Sequence, residues 1–178
     1  MTSATDTIVI TGGVGAEIIV GTSIADSITG AAGADNLTGG TGADVFAFAQ
    51  ADSVARTAHT LTDGGIVNTN TITFGNSLDI ITGFVSGTDT INVATAGAPA
   101  SAMAVDPTTN NLVANSTHQL LGTFTGNVFT VNSAATAGTV NVAVLVLTDA
   151  VAADFGAASQ TSFVLLMGIA AVAAGDFV

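Results

Sequence analysis

Gly12–Ala47 reads GGVGAEIIV, GTSIADSIT, GAAGADNLT, GGTGADVFA: four nine-residue units that follow one another without insertion or deletion. Each begins with glycine (Gly12, Gly21, Gly30, Gly39), carries an acid at its sixth place (Glu17, Asp26, Asp35, Asp44) and an apolar residue at its eighth (Ile19, Ile28, Leu37, Phe46). Glycine reaches the positive-φ backbone that a tight six-residue turn needs, with no Cβ penalty. The last three residues alternate about the eighth position, which is the period of a short strand. Turn and strand repeated in register predict a stack of coils, with the eighth residues inside and the acids along the edges.

The residue types in the turns point to one ion. Glycine-rich turns aim backbone carbonyls inward and the acid adds a carboxylate, an all-oxygen donor set that suits calcium, a hard cation taking about six to eight oxygens. The candidate ligands are therefore Gly12, Gly13, Gly15 and Glu17 in the first turn, Asp26 in the second, Gly30, Gly33 and Asp35 in the third, and Gly39, Gly40, Gly42 and Asp44 in the fourth. If each unit is half a coil, turns two units apart share an edge, which pairs Glu17 with Asp35 and Asp26 with Asp44. The second pair is the better supported. Its Asp26 nevertheless follows a degenerate turn, Gly21-Thr22-Ser23-Ile24, and Glu17 is one methylene longer than the aspartates.

Composition narrows the function. The 178 residues include one Lys or Arg, Arg56, against thirteen Asp and Glu, for a net charge of -12; binding to nucleic acid or anionic lipid is excluded on that balance. Nine of the thirteen acids lie at or before Asp89, so calcium would neutralise charge where it is densest. With no cysteine, disulfides and thiolate sites are excluded. Charged residues make up 8% of the chain, far below the roughly 25% of ordinary domains, while mean hydropathy is +0.67. The longest apolar stretch, Phe163–Ala174, is too short for a membrane-crossing helix of roughly 20 residues. A surface this poor in charge is either that of a β protein covered with uncharged polar residues or one buried in contact between copies of the protein.

After the repeats come GADVFAF (Gly42–Phe48), a polar excursion to about Asn76, and LDIITGFVSGTDTI (Leu78–Ile91). With the four nonapeptides, this order resembles the repeats-in-toxin (RTX) proteins. It is similar in particular to the C-terminal region of serralysin-type proteins, where a strand of pattern D-x-I-x-x-F-x-x-G-x-D-x-I caps the roll. The resemblance adds Asp79 and Asp89 as candidate capping ligands, ahead of Asp52 and Asp63. The last residues, Phe163–Ile169 and Gly175–Val178, resemble the uncleaved C-terminal type I secretion signal of that group. The resemblance spans about residues 8–93 and 160–178. It implies export by an ABC-transporter type I system, since Met1–Thr11 has no basic start of a secretory leader, and folding outside the cell when calcium arrives.

The enzymatic half of that family has no counterpart here. No HExxH motif is present, and His59 and His118 lie in polar segments that read as surface or loop. Ser53, His59 and Asp63 are near one another only in sequence, without a nucleophile elbow. The glycine-rich turns carry an acid where a phosphate cradle wants Lys-Ser/Thr.

Downstream, His118–Asn132 reads as two strands around Gly126-Asn127, Thr139–Thr148 as a buried strand, Thr148 or Asp149 as the cap of a brief helix ending near Gly156, and Pro99 to Pro107 as a loop. The expected fold is all-β: a parallel β-roll of calcium repeats continuing into a β-sandwich or roll, with residues 1–93 as roll and capping strand and 94–178 as the C-terminal β part. The expected function is that of a non-enzymatic, secreted, calcium-dependent structural protein that self-assembles into a surface layer or filament, a composition like that of bacterial surface-layer proteins. The alternative is the calcium-folding and secretion module of a larger RTX enzyme, adhesin or toxin.

Overall fold

The repeats and the segment just before them fold as five short strands, β1 (Ile8–Thr11), β2 (Ile18–Val20), β3 (Asp26–Thr29), β4 (Asn36–Thr38) and β5 (Val45–Phe48), which alternate between two sheets. The computed structural model describes residues 6–49, 56–60, 67–75, 78–93, 116–149 and 162–178. β1, β3 and β5 pair in parallel in one sheet, β2 and β4 in the other, so one coil holds two nonapeptides. Ile19, Ile28, Leu37 and Phe46 are all buried, as the eighth position requires. Each such burial is worth about 1.5–3 kcal/mol.

After an excursion through β6 (Arg56–His59) and β7 (Thr71–Phe74), the coil resumes with β8 (Asp79–Thr82) and β9 (Thr90–Val93). β8 pairs in parallel with β4 and β9 with β5. The stretch read as one capping strand is thus two strands joined by a turn, and it adds a further coil. Ile81 and Ile91 take the inward places, and the Phe84 ring lies 6.1 Å from that of Phe46.

The remaining described strands are β10 (Ser116–Thr125), β11 (Val128–Val131), β12 (Val142–Asp149) and β13 (Ser162–Met167). They continue the second sheet to nine strands in the order β2-β4-β8-β13-β12-β10-β11-β7-β6. The two strands expected around Gly126-Asn127 are β10 and β11. β12 starts at Val142 rather than Thr139, because Thr139 donates back to the Thr136 carbonyl in a turn (2.8 Å) and Asn141 has φ 57°.

Two apolar clusters sit on opposite faces of β12 and β13. Val144, Val146, Val164 and Leu166 face the roll; Ala143, Leu145, Leu147, Phe163 and Leu165 face the other way, with Ile72, Leu120 and Phe129. A strand buried on both faces reads as a continuous apolar run, which is how TVNVAVLVLT and FVLLM appear in sequence. Strands on both sides of residue 93 share one sheet and one core. His118 corrects its surface assignment: it is 1% exposed on β10, on the same alternating face as Leu120. The proposed helix beyond Asp149, the loop from Pro99 to Pro107, and Asp52, Ser53 and Asp63 lie outside the described residues.

Candidate calcium-binding edges

The turns between strands stack one coil apart. On one edge Ala32 N–H donates to the Gly13 carbonyl (3.1 Å), and Asn36 to that of Glu17 (2.9 Å); on the other Thr41 donates to Thr22 (3.0 Å). Two glycines show how close the layers lie. A Cβ on Gly33, whose φ is +149°, would collide with the Gly15 carbonyl oxygen, and one on Gly40, φ +102°, with that of Thr22. Carbonyl oxygens of one turn therefore point at the backbone of the next, where only glycine leaves room. Gly12 lies likewise against the Gly30 carbonyl, and Gly42 against that of Ile24. Gly30 and Gly39 face the carboxylates of Asp35 and Asp44 in their own turns.

The acids form two ladders. Glu17 N–H donates to Asp35 Oδ1 (2.8 Å), and Asp35 N–H to Asp79 Oδ1 (2.9 Å). On the opposite edge Asp26 N–H donates to Asp44 Oδ1 (2.9 Å), and Asp44 N–H to Asp89 Oδ1 (3.1 Å). The sequence spacing is 18 residues within the repeats and 44 or 45 across the excursion. Structure thus brings together Glu17 with Asp35 and Asp26 with Asp44, and extends each edge to Asp79 and Asp89.

The rungs are not equivalent. In the degenerate second turn, Thr22 supplies its N–H (2.6 Å) and its hydroxyl (3.0 Å) to Asp26 Oδ2. Asp89 Oδ2 likewise accepts Val85 N–H (2.8 Å). Asp44 Oδ2 is buried and accepts no hydrogen bond. Glu17 uses its extra methylene to fold around its own turn, where Oε2 accepts from Gly13 (3.1 Å) and Oε1 from Gly15 (3.2 Å).

Asp26, Asp35, Asp44, Asp79 and Asp89 are each no more than 3% exposed. Burying a carboxylate costs several kcal/mol unless a counter-charge accompanies it. The one Lys or Arg in the chain, Arg56, is on β6, at the end of the nine-stranded sheet away from the roll. Burial pushes the Asp44 carboxyl above its ordinary value of 3.8; the Asp26 N–H draws it partly back, and the Asp89 and Asp26 carboxylates push it up again. A cation beside Asp44 Oδ2 would relieve all three upward pressures. Among the described residues no three His, Cys, Asp or Glu side chains converge on one point. Carboxylates interleaved with backbone carbonyls fit calcium.

Residues 11–46 match the family model of the RTX calcium-binding nonapeptide repeat, in four copies. The chain carries an RTX β-roll. The matched residues are the coils that hold Glu17, Asp26, Asp35 and Asp44, and RTX nonapeptides are calcium-binding as a family. Among solved structures, the R3 subunit of AlgE6, a mannuronan C5-epimerase of Azotobacter vinelandii, is similar at 20% identity and a TM-score of 0.47. The alignment covers 96% of this chain and 78% of that one. A search of curated proteins finds no match.

Sequence reasoning passed over two residues that brace the roll. Thr22 stood as a defect of the second turn, yet its hydroxyl holds Asp26. Asp176 stood inside the C-terminal signal, yet it is 2% exposed and bonded to the last turn of the roll. Thr22 meets Asp26 only four residues on, whereas nothing local marks Asp176, whose partner Ser86 lies 90 residues away.

Proposed function

We propose that the chain is a non-catalytic, extracellular structural protein whose RTX roll folds on calcium and then self-associates into a layer or filament. The observation that carries the calcium part is the double ladder of buried carboxylates, with the one Lys or Arg of the chain on a strand at the far end of the second sheet. Glu17, Asp26, Asp35, Asp44, Asp79 and Asp89, with carbonyls of the glycine-rich turns, are the proposed ligands. Asp44 sits at the middle rung with an unclaimed oxygen. Asp44→Asn keeps its shape and removes its charge, so calcium affinity by calorimetry should fall about tenfold or more, or ~1.4 kcal/mol. Asp6→Asn, at an exposed acid outside the ladders, should change it less than about twofold. Equal affinities for the two variants would remove Asp44 from the site.

Self-association draws on the first coil. β1 and β2 are the outer strands of their two sheets, and such edges invite pairing with another chain. Ile8, Val9, Val14, Ile18 and Val20, five of the nine exposed large hydrophobics among the described residues, belong to this coil. Val9 and Val20 are 74% and 64% exposed. Sedimentation in millimolar calcium should show oligomers of the native chain and a monomer for Val9→Lys combined with Val20→Lys, because a charge on an edge strand opposes pairing. A native chain that stays monomeric at high concentration refutes assembly and leaves calcium folding standing. The same open end favours a second reading, a calcium-folding module continued by further coils of a larger RTX protein. Export through a type I ABC transporter accompanies both readings. No described helix is long and apolar enough to cross a membrane.

A further inference from the structure

Beyond β13 the chain turns at Gly168 (φ 84°) and closes with a short 3-10 helix, Ala174–Asp176. The tail returns to the far end of the roll. Phe177 bridges Ile91 in parallel, Val178 N–H donates to the Ile91 carbonyl (3.1 Å), and Phe177 packs against the roll core. Gln119 holds the approach from β10, its amide meeting the Val172 carbonyl at 3.0 Å and N–H at 3.3 Å.

The fixing point is Asp176. Its Oδ1 accepts Gly87 N–H (2.8 Å), and its Oδ2 accepts the Ser86 hydroxyl (2.6 Å) and Ala173 N–H (2.8 Å). Ser86 and Gly87 belong to the turn that ends at Asp89. That turn is closed by Val85 N–H on Asp89 Oδ2, while Asp89 Oδ1 takes the N–H of Asp44. One carboxylate therefore joins the turn to the Asp44 rung, and another joins it to the C-terminus. Among the described residues β9 is the last strand of its sheet, and Asp176 takes up donors of the turn that leads into it.

We infer that residues 172–178 are a calcium-coupled clasp: ion binding at the Asp44–Asp89 rung and docking of Asp176 on the 85–89 turn stabilise each other. This rests on the calcium reading above. An unformed turn cannot present the Ser86 hydroxyl and Gly87 N–H together, so the tail stays undocked until the roll is loaded; afterwards Asp176 is buried and the main chain of Phe177 and Val178 is held against Ile91. Linkage makes the effect reciprocal, so loss of the clasp weakens calcium binding by the same factor that calcium strengthens the clasp.

The test is carboxypeptidase digestion of the full chain, followed by mass spectrometry in millimolar calcium and in EGTA, beside a calcium titration by circular dichroism. Val178 and Phe177 should be released at least about tenfold more slowly in calcium. Asp176→Ala should lose that protection and need about tenfold more calcium for half-maximal signal, within the 5–150-fold range of ordinary couplings. Ser86→Ala, which deletes one hydroxyl and leaves the roll core untouched, should move both readouts the same way by a smaller factor. Equal release with and without calcium, in a chain whose dichroism does respond to calcium, overturns the clasp alone. Unchanged calcium midpoints in both variants overturn the coupling. A chain with no dichroic response overturns the calcium reading and the clasp with it.

Discussion

Chelating divalent cations from the native chain should melt the parallel roll: far-ultraviolet circular dichroism loses β signal in excess EGTA and recovers it in millimolar calcium. The reason is electrostatic. Asp26, Asp35, Asp44, Asp79 and Asp89 lose their hydration in the fold, and the backbone N–H groups that reach them return only part of it. A site filled at a hundred times its dissociation constant adds about 2.7 kcal/mol to stability. Two such sites match the lower end of the roughly 5–15 kcal/mol that holds a domain together. Magnesium should restore little, because it demands a tighter octahedron and keeps its water. Identical spectra and urea midpoints in EGTA and calcium would contradict ion-coupled folding.

Gly33→Ala should prevent the roll from forming even in saturating calcium, whereas Gly126→Ala should cost only about 1 kcal/mol. Both glycines have positive φ, at +149° and +61°, and alanine is strained at each by roughly 1–3 kcal/mol. They differ in what a methyl group meets. At Gly126, in the hairpin turn between β10 and β11, nothing lies within 4 Å; at Gly33 the Gly15 carbonyl occupies the space. That oxygen is backbone of the neighbouring coil and cannot swing aside, so overpacking adds about 1–3 kcal/mol and displaces a proposed ligand. Thermal unfolding in calcium distinguishes the two. Equal melting temperatures for the variants would mean that the turns are not stacked as closely as the structure has them.

Much of this was legible because the nonapeptide is a local code. Ile19, Ile28, Leu37 and Phe46 recur at one position of a fixed register, and a period shared by turn and strand admits one stacking. The pairing of Glu17 with Asp35 and Asp26 with Asp44 follows from that register alone. Asp79 and Asp89 were reached through resemblance, since a spacing of 44 or 45 residues carries no period to count. His118 was misplaced because its neighbours in sequence are polar, although His118 and Leu120 alternate onto one face of β10. The roles of Thr22 and Asp176 depend on hydrogen bonds whose geometry no composition or spacing reports.

Sequence by itself determined the coil: the glycines, the inward residues and the order of the acids are set within nine-residue units, where local backbone preference and alternation suffice. Tertiary structure decided how the coil ends. The strand that lies beside β8, the tail that covers β9 and the turn that receives Asp176 are contacts between distant segments. Closing those long loops is paid for collectively by the two cores on either face of β12 and β13, and no local pattern encodes a sum of that kind.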